Sequence, residues 1–186
     1  MSQPATISPE HYQVDTDAPV SNFSHCHIGI SHEFCRLLEL CDLPYNSPLA
    51  QQIASRSVKF FHHGLRVHHQ DEEQELFPAV QFSAQKGEER AQVDQLIEAL
   101  TTEHRELEQL WEDLEPALKK IANGQKAQLD TGNLKRLMVR CSVHAESEEL
   151  KFLPLCEKIL GRNSNHMAAL GLSLHMRHSS GFLSYI

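Results

Sequence analysis

One eleven-residue stretch that occurs twice limits what this chain can fold into more than any other feature. The first copy is His68-His69-Gln70-Asp71-Glu72-Glu73-Gln74-Glu75-Leu76-Phe77-Pro78, and the second is His144-Ala145-Glu146-Ser147-Glu148-Glu149-Leu150-Lys151-Phe152-Leu153-Pro154. Each reads histidine, three residues, a pair of glutamates, and two apolar residues just ahead of a proline. On a helix, side chains four residues apart share a face with Cβ atoms roughly 5–6 Å apart. His68 and Glu72 therefore point the same way, as do His144 and Glu148. Two further histidines, His32 and His104, each lie about one helix length upstream of a copy. Four helices that each turn such residues inward would hold four imidazoles and two carboxylates around two metal ions.

The apolar spacing supplies those helices. Ile28, His32 and Cys35 read as one face of a first helix over about 22–41. Pro44 and Pro48 break the chain around Asn46-Ser47, and Pro48 suits the first turn of a second helix. Its stripe is Phe61, Leu65, His68, Glu72 and Leu76, with a kink or break expected near Pro78. A third helix begins near Glu88 and carries Ile97, Leu100, His104, Leu107, Trp111, Leu114 and Leu118, bending near Pro116 and stopping at Asn123-Gly124. A fourth starts near Asp130 or Thr131 and lines up Leu137, Cys141, His144, Glu148 and Leu155. No run alternates with a period of two. The fold class is all-α: an antiparallel, up-and-down four-helix bundle with an internal two-fold repeat. The domain plan is a flexible N-terminal arm over 1–20, the bundle over 21–160, and a C-terminal extension over 161–186 with room for a short helix.

Composition narrows the partners. A net charge of −8 argues against nucleic acid, which needs a basic face. No apolar segment is long enough to span a membrane. Five cysteines without a CxxC pair read as reduced thiols in a cytoplasmic protein, and the N-terminus lacks the basic and apolar regions of a signal peptide. Thirteen histidines are the compositional anomaly, and histidine is the commonest metal ligand. Imidazole with carboxylate suits iron, manganese or zinc. A one-residue slip would use His69 and Glu73 instead. Their counterparts are Ala145 and Glu149, and alanine cannot bind metal, so the repeat favours His68 and Glu72. Glu73 and Glu149 are then outer partners or surface acids, and His25-Cys26-His27 has the donors of a soft-metal site but lies just at the helix start with no visible partner.

At Glu103-His104, the two HxxxEE elements, and the Leu-Phe-Pro and Phe-Leu-Pro that follow them, the sequence resembles the hemerythrin-like, HHE cation-binding family over about residues 24–160. The resemblance implies a non-haem di-iron centre, two Fe ions bridged by Glu72 and Glu148, with His32, His68, His104 and His144 as terminal ligands. Oxygen-carrying members have a further histidine four residues after the third-helix one. Here that position is Glu108, a candidate replacement ligand. The function implied is binding of a small diatomic ligand, dioxygen or nitric oxide, for sensing, storage or protection. The alternative is an enzyme turning over hydrogen peroxide or nitric oxide at the same centre, with Glu108 or Tyr45 as proton donor.

Overall fold

The computed structural model describes residues 15, 16 and 18–180, the last three as backbone only. Most of the expected N-terminal arm lies outside the described residues. Among those described, the secondary structure is helical, with no strand. The helices are α1 (Ser21–Leu38), α2 (48–83), α3 (Glu88–Ala122), α4 (131–160) and α5 (Ser164–Ser180). Short connections join them, each of the first four packs on its neighbour in the chain, and α1 also packs on α4 to close the ring. This is the antiparallel bundle the repeat predicts.

Local chemistry sets the ends. The Ser47 hydroxyl accepts from the Ala50 N–H, with Pro48 at the first helical position of α2. Gly87, at φ 103°, turns the chain into α3, which opens on Glu88 and Glu89 and closes on Lys119 and Lys120, as the helix dipole favours. The Asp130 carboxylate caps α4 by accepting from the Asn133 N–H at 2.9 Å. Pro116 does not end α3, which continues to Ala122.

The two repeated stretches share a local form that spacing alone does not show. In α2 a π turn, Glu72–Leu76, precedes Pro78, and in α4 a π turn, Glu148–Phe152, precedes Pro154. A proline inside a helix lacks the N–H donor and its ring meets the carbonyl four residues back. Here that carbonyl, of Gln74 or Leu150, lies within the widened turn. The helix therefore runs on past Pro78 to Ser83 instead of breaking there. The turn also inserts one residue into the inward register, so Cys156 is buried and Leu155 is half-buried. A third π turn, Phe61–Leu65, contains Gly64, where a Cβ would lie 2.8 Å from the Phe60 ring.

The core is two apolar clusters with a polar layer between them. One holds Ile30, Phe34, Leu65, Leu107, Trp111 and Leu137, and the other Phe23, Leu76, Phe77, Leu100, Phe152 and Cys156. Along every bundle helix the chain passes from one cluster to the other across a buried histidine: His27 between Phe23 and Ile30, His68 between Leu65 and Leu76, His104 between Leu100 and Leu107, His144 between Cys141 and Phe152. Helix α5 adds Leu170 and Leu174 to the second cluster, and its Arg177 pairs with Asp71 at 2.9 Å, beside the π turn of α2. Among the described residues no helix is long and apolar enough to cross a membrane.

Candidate metal centre

The polar layer gathers His27, His68, His69 and Glu72 from α1 and α2 with His104, His144 and Glu148 from α3 and α4. Glu72, His104 and Glu148 have no measurable exposure. Burying two carboxylates away from water costs several kcal/mol per ion unless charge or hydrogen bonds compensate. Yet both oxygens of Glu72 and of Glu148, and the Nε2 atoms of His104 and His144, lack a hydrogen-bond partner in the protein. Buried polar atoms are normally paired. Unpaired atoms that converge on one space are what a cation site requires.

The contacts have a two-fold pattern. Glu72 turns one oxygen to His68 Nε2 (3.6 Å) and the other to His104 Nε2 (3.2 Å). Glu148 turns one oxygen to His144 Nε2 (3.5 Å) and the other to His27 Nε2 (2.9 Å). Each carboxylate thus spans both histidine pairs, His27 with His68 and His104 with His144. The ligand-capable atoms of His27, His68, Glu72 and Glu148 lie within 4.8 Å of one another, and so do those of Glu72, His104, His144 and Glu148.

Three of the imidazoles are held from behind. His27 donates its Nδ1–H to Glu149 (2.7 Å), which also accepts from the Ser24 hydroxyl. His104 donates from Nδ1 to Glu73 (2.8 Å), itself gripped by Arg105, and His144 donates from Nδ1 to Glu103 (2.8 Å). A carboxylate on Nδ1 selects the tautomer whose Nε2 lone pair faces inward, and metal-bound histidines are commonly oriented this way. The second glutamate of each HxxxEE therefore grips a histidine on an adjacent helix of the other half, Glu73 of α2 on α3 and Glu149 of α4 on α1.

Electrostatics agree with an interior built for positive charge. Burial pushes the Glu72 carboxyl up to about 8 and, with the facing Glu72, the Glu148 carboxyl up to about 7. Burial pulls His27 down, but Glu148 and Glu149 more than offset it and raise it to about 9. Burial holds His68 well below its ordinary value, lowers His144, and brings His69 to about 3. Burial thus disfavours the charged forms of both carboxylates, a cost that a cation bound between them would offset.

His68, Glu72, His104, His144 and Glu148 come together as the spacing predicts. His32 does not join them: it is exposed on α1. Ile28, His32 and Cys35 form a helical face, but the outer one, with Ile28 61% exposed. Phe23, Ile30, Phe34 and Leu37 form the competing face, and burying each such side chain is worth about 1.5–3 kcal/mol. That larger apolar face turns inward and takes His27 with it, five residues and about 140° round the helix from His32. The repeat carried the signal: His27 to His104 is 77 residues, close to the 76 from His68 to His144, whereas His32 to His104 is 72. Glu108 is partly exposed, 3.3 Å from Arg105 and 3.9 Å from His69 Nδ1, outside the converged ligand atoms. His69, set aside by the repeat, is buried within the layer. Tyr45 is exposed at the edge of the first apolar cluster, in a cleft it shares with Leu40, Ala50 and Ile121.

A helical bundle with a buried His/Glu cluster whose ligand atoms converge in two overlapping sets is suited to a dinuclear metal site. The model of one family, the hemerythrin HHE cation binding domain, matches residues 18–156, and the chain belongs to that family. No curated protein and no solved structure gives a significant match.

Proposed function

We propose that this chain is a non-haem di-iron protein that binds a small diatomic ligand, dioxygen or nitric oxide, in the cytoplasm. The observation that carries the reading is the pair of buried carboxylates, each facing one histidine of both pairs with no other partner. In this reading His27 and His68 would hold one ion and His104 and His144 the other, with Glu72 and Glu148 within reach of both. A di-iron centre held there would supply the electrons for binding dioxygen and the open positions for nitric oxide. Manganese and zinc suit the same imidazole and carboxylate donors, so the choice of iron rests on the family.

The protein's own share is orientation and exclusion. Glu149, Glu73 and Glu103 keep Nε2 of His27, His104 and His144 turned inward. The apolar clusters on either side keep bulk water away, which favours a bound ligand that leaves unchanged. Turnover of hydrogen peroxide or nitric oxide is the competing reading. Tyr45, a proton donor for it on the sequence, sits instead in the cleft at the edge of the first cluster.

Metal analysis of protein from iron-supplied cells tests the proposal, with absorption spectra after anaerobic reduction and on admitting oxygen. Two irons per chain and a charge-transfer band that reverses on deoxygenation are expected. Two irons that oxidise and stay oxidised favour turnover or storage. Absence of metal, with His68→Ala and His144→Ala leaving stability unchanged, overturns the centre itself.

A further inference from the structure

The six-residue set leaves one imidazole of the pocket unused. His69 is 1% exposed, and neither ring nitrogen has a hydrogen-bond partner. Its ring stacks on that of His104, centroids 3.9 Å apart and planes 9° from parallel, and meets His144 edge-on at 5.8 Å. Ligand-capable atoms of His69, His104 and His144 lie within 4.8 Å of one another. The nearest carboxylate, Glu108, is 3.9 Å from Nδ1, too far for a hydrogen bond. An imidazole buried among imidazoles with both nitrogens idle is costly unless something binds there.

The internal two-fold shows that this feature belongs to one half only. The residue matching His69 in the second copy is Ala145, which offers no ligand atom, so the His27 and His68 pair has no third imidazole from that position. We propose that His69 is a third imidazole ligand to the ion held by His104 and His144, which makes the two ions inequivalent. The inference rests on the dinuclear reading above and assigns its asymmetry to one residue.

Anaerobic titration of the full chain with Co(II), followed through its visible d–d bands, tests this. The chain should take up two ions in two resolvable steps, with His144→Ala weakening one and His27→Ala the other. His69→Ala should weaken the His144 step at least ten-fold, intensify the bands of that ion as its coordination number falls, and leave the His27 step in place. His69→Phe keeps a ring to stack on His104 but removes both nitrogens. It should show the same loss, and it decides the matter if circular dichroism shows that the alanine variant has not folded. Retention of both steps and both spectra in His69→Phe, or loss of the His27 step instead, overturns the proposal. If the unaltered chain binds no Co(II), the dinuclear reading fails instead.

Discussion

An inward imidazole and a carboxylate at its back form the unit from which the pocket is assembled. Glu149 behind His27 and Glu73 behind His104 touch no ligand position, yet they decide where Nε2 points. Removing such partners from metal-bound histidines typically costs 10–100-fold in metal affinity. Glu149→Ala and Glu73→Ala should each weaken iron or cobalt binding by about that factor while the metal-free variants stay folded, as paired metal titrations and circular dichroism would show. At this scale the sequence was legible wherever a residue was repeated. His68, Glu72, His144 and Glu148 followed from matched copies, and His104 from its apolar neighbours. His27 was hidden because a second helical face, through Ile28 and Cys35, competed with it and lost to the heavier apolar stripe. His69 was hidden because it breaks the repeat, and the repeat was the guide.

The helices themselves were easier to read, since caps, prolines and stripes all act over a few residues. Ser47-Pro48, Gly87 with its acidic successors, and Asp130 mark starts that the structure shares. What eluded spacing was the π turn: it is a register shift of one residue, and periodicity averages over a single inserted residue. The shift carries Phe152 into the second cluster, fully buried and edge-on to Phe77 at 5.1 Å. Phe152→Ala should cost about 3–5 kcal/mol, read as a fall in the urea midpoint without a change in slope. The isolated Phe82→Ala, at a side chain 81% exposed, should stay within about 0.5 kcal/mol.

Taken whole, the molecule sets a charged layer across the middle of an apolar bundle. In the metal-free state that layer opposes folding, because desolvation of its carboxylates outweighs what His27 and His144 return. An ion that binds only the folded chain adds stability by mass action, about 2.7 kcal/mol at one hundred times the dissociation constant. For a chain of this length that corresponds to roughly 5–10 °C in melting temperature. Calorimetry with and without Fe(II) or Co(II) should show such a rise, and His144→Ala should abolish most of it. Helical class and bundle order were legible at this scale because the repeat and the breaks agree. The packing of α5 on the second cluster was not, since its buried side chains among the described residues are few, Leu170 and Leu174 beside Gly171, and no repeat announces them.

The layer lies between the two apolar clusters, and its carboxylates have no measurable exposure. Both carboxylates are shut off from solvent, so an ion reaches or leaves them only through local opening of the bundle. The rate at which a cation exchanges with its surroundings is then a property of the bundle's breathing rather than of the bonds to the cation. A protein of this construction can hold its ions for long times even where their equilibrium affinity is ordinary, with local opening as the clock.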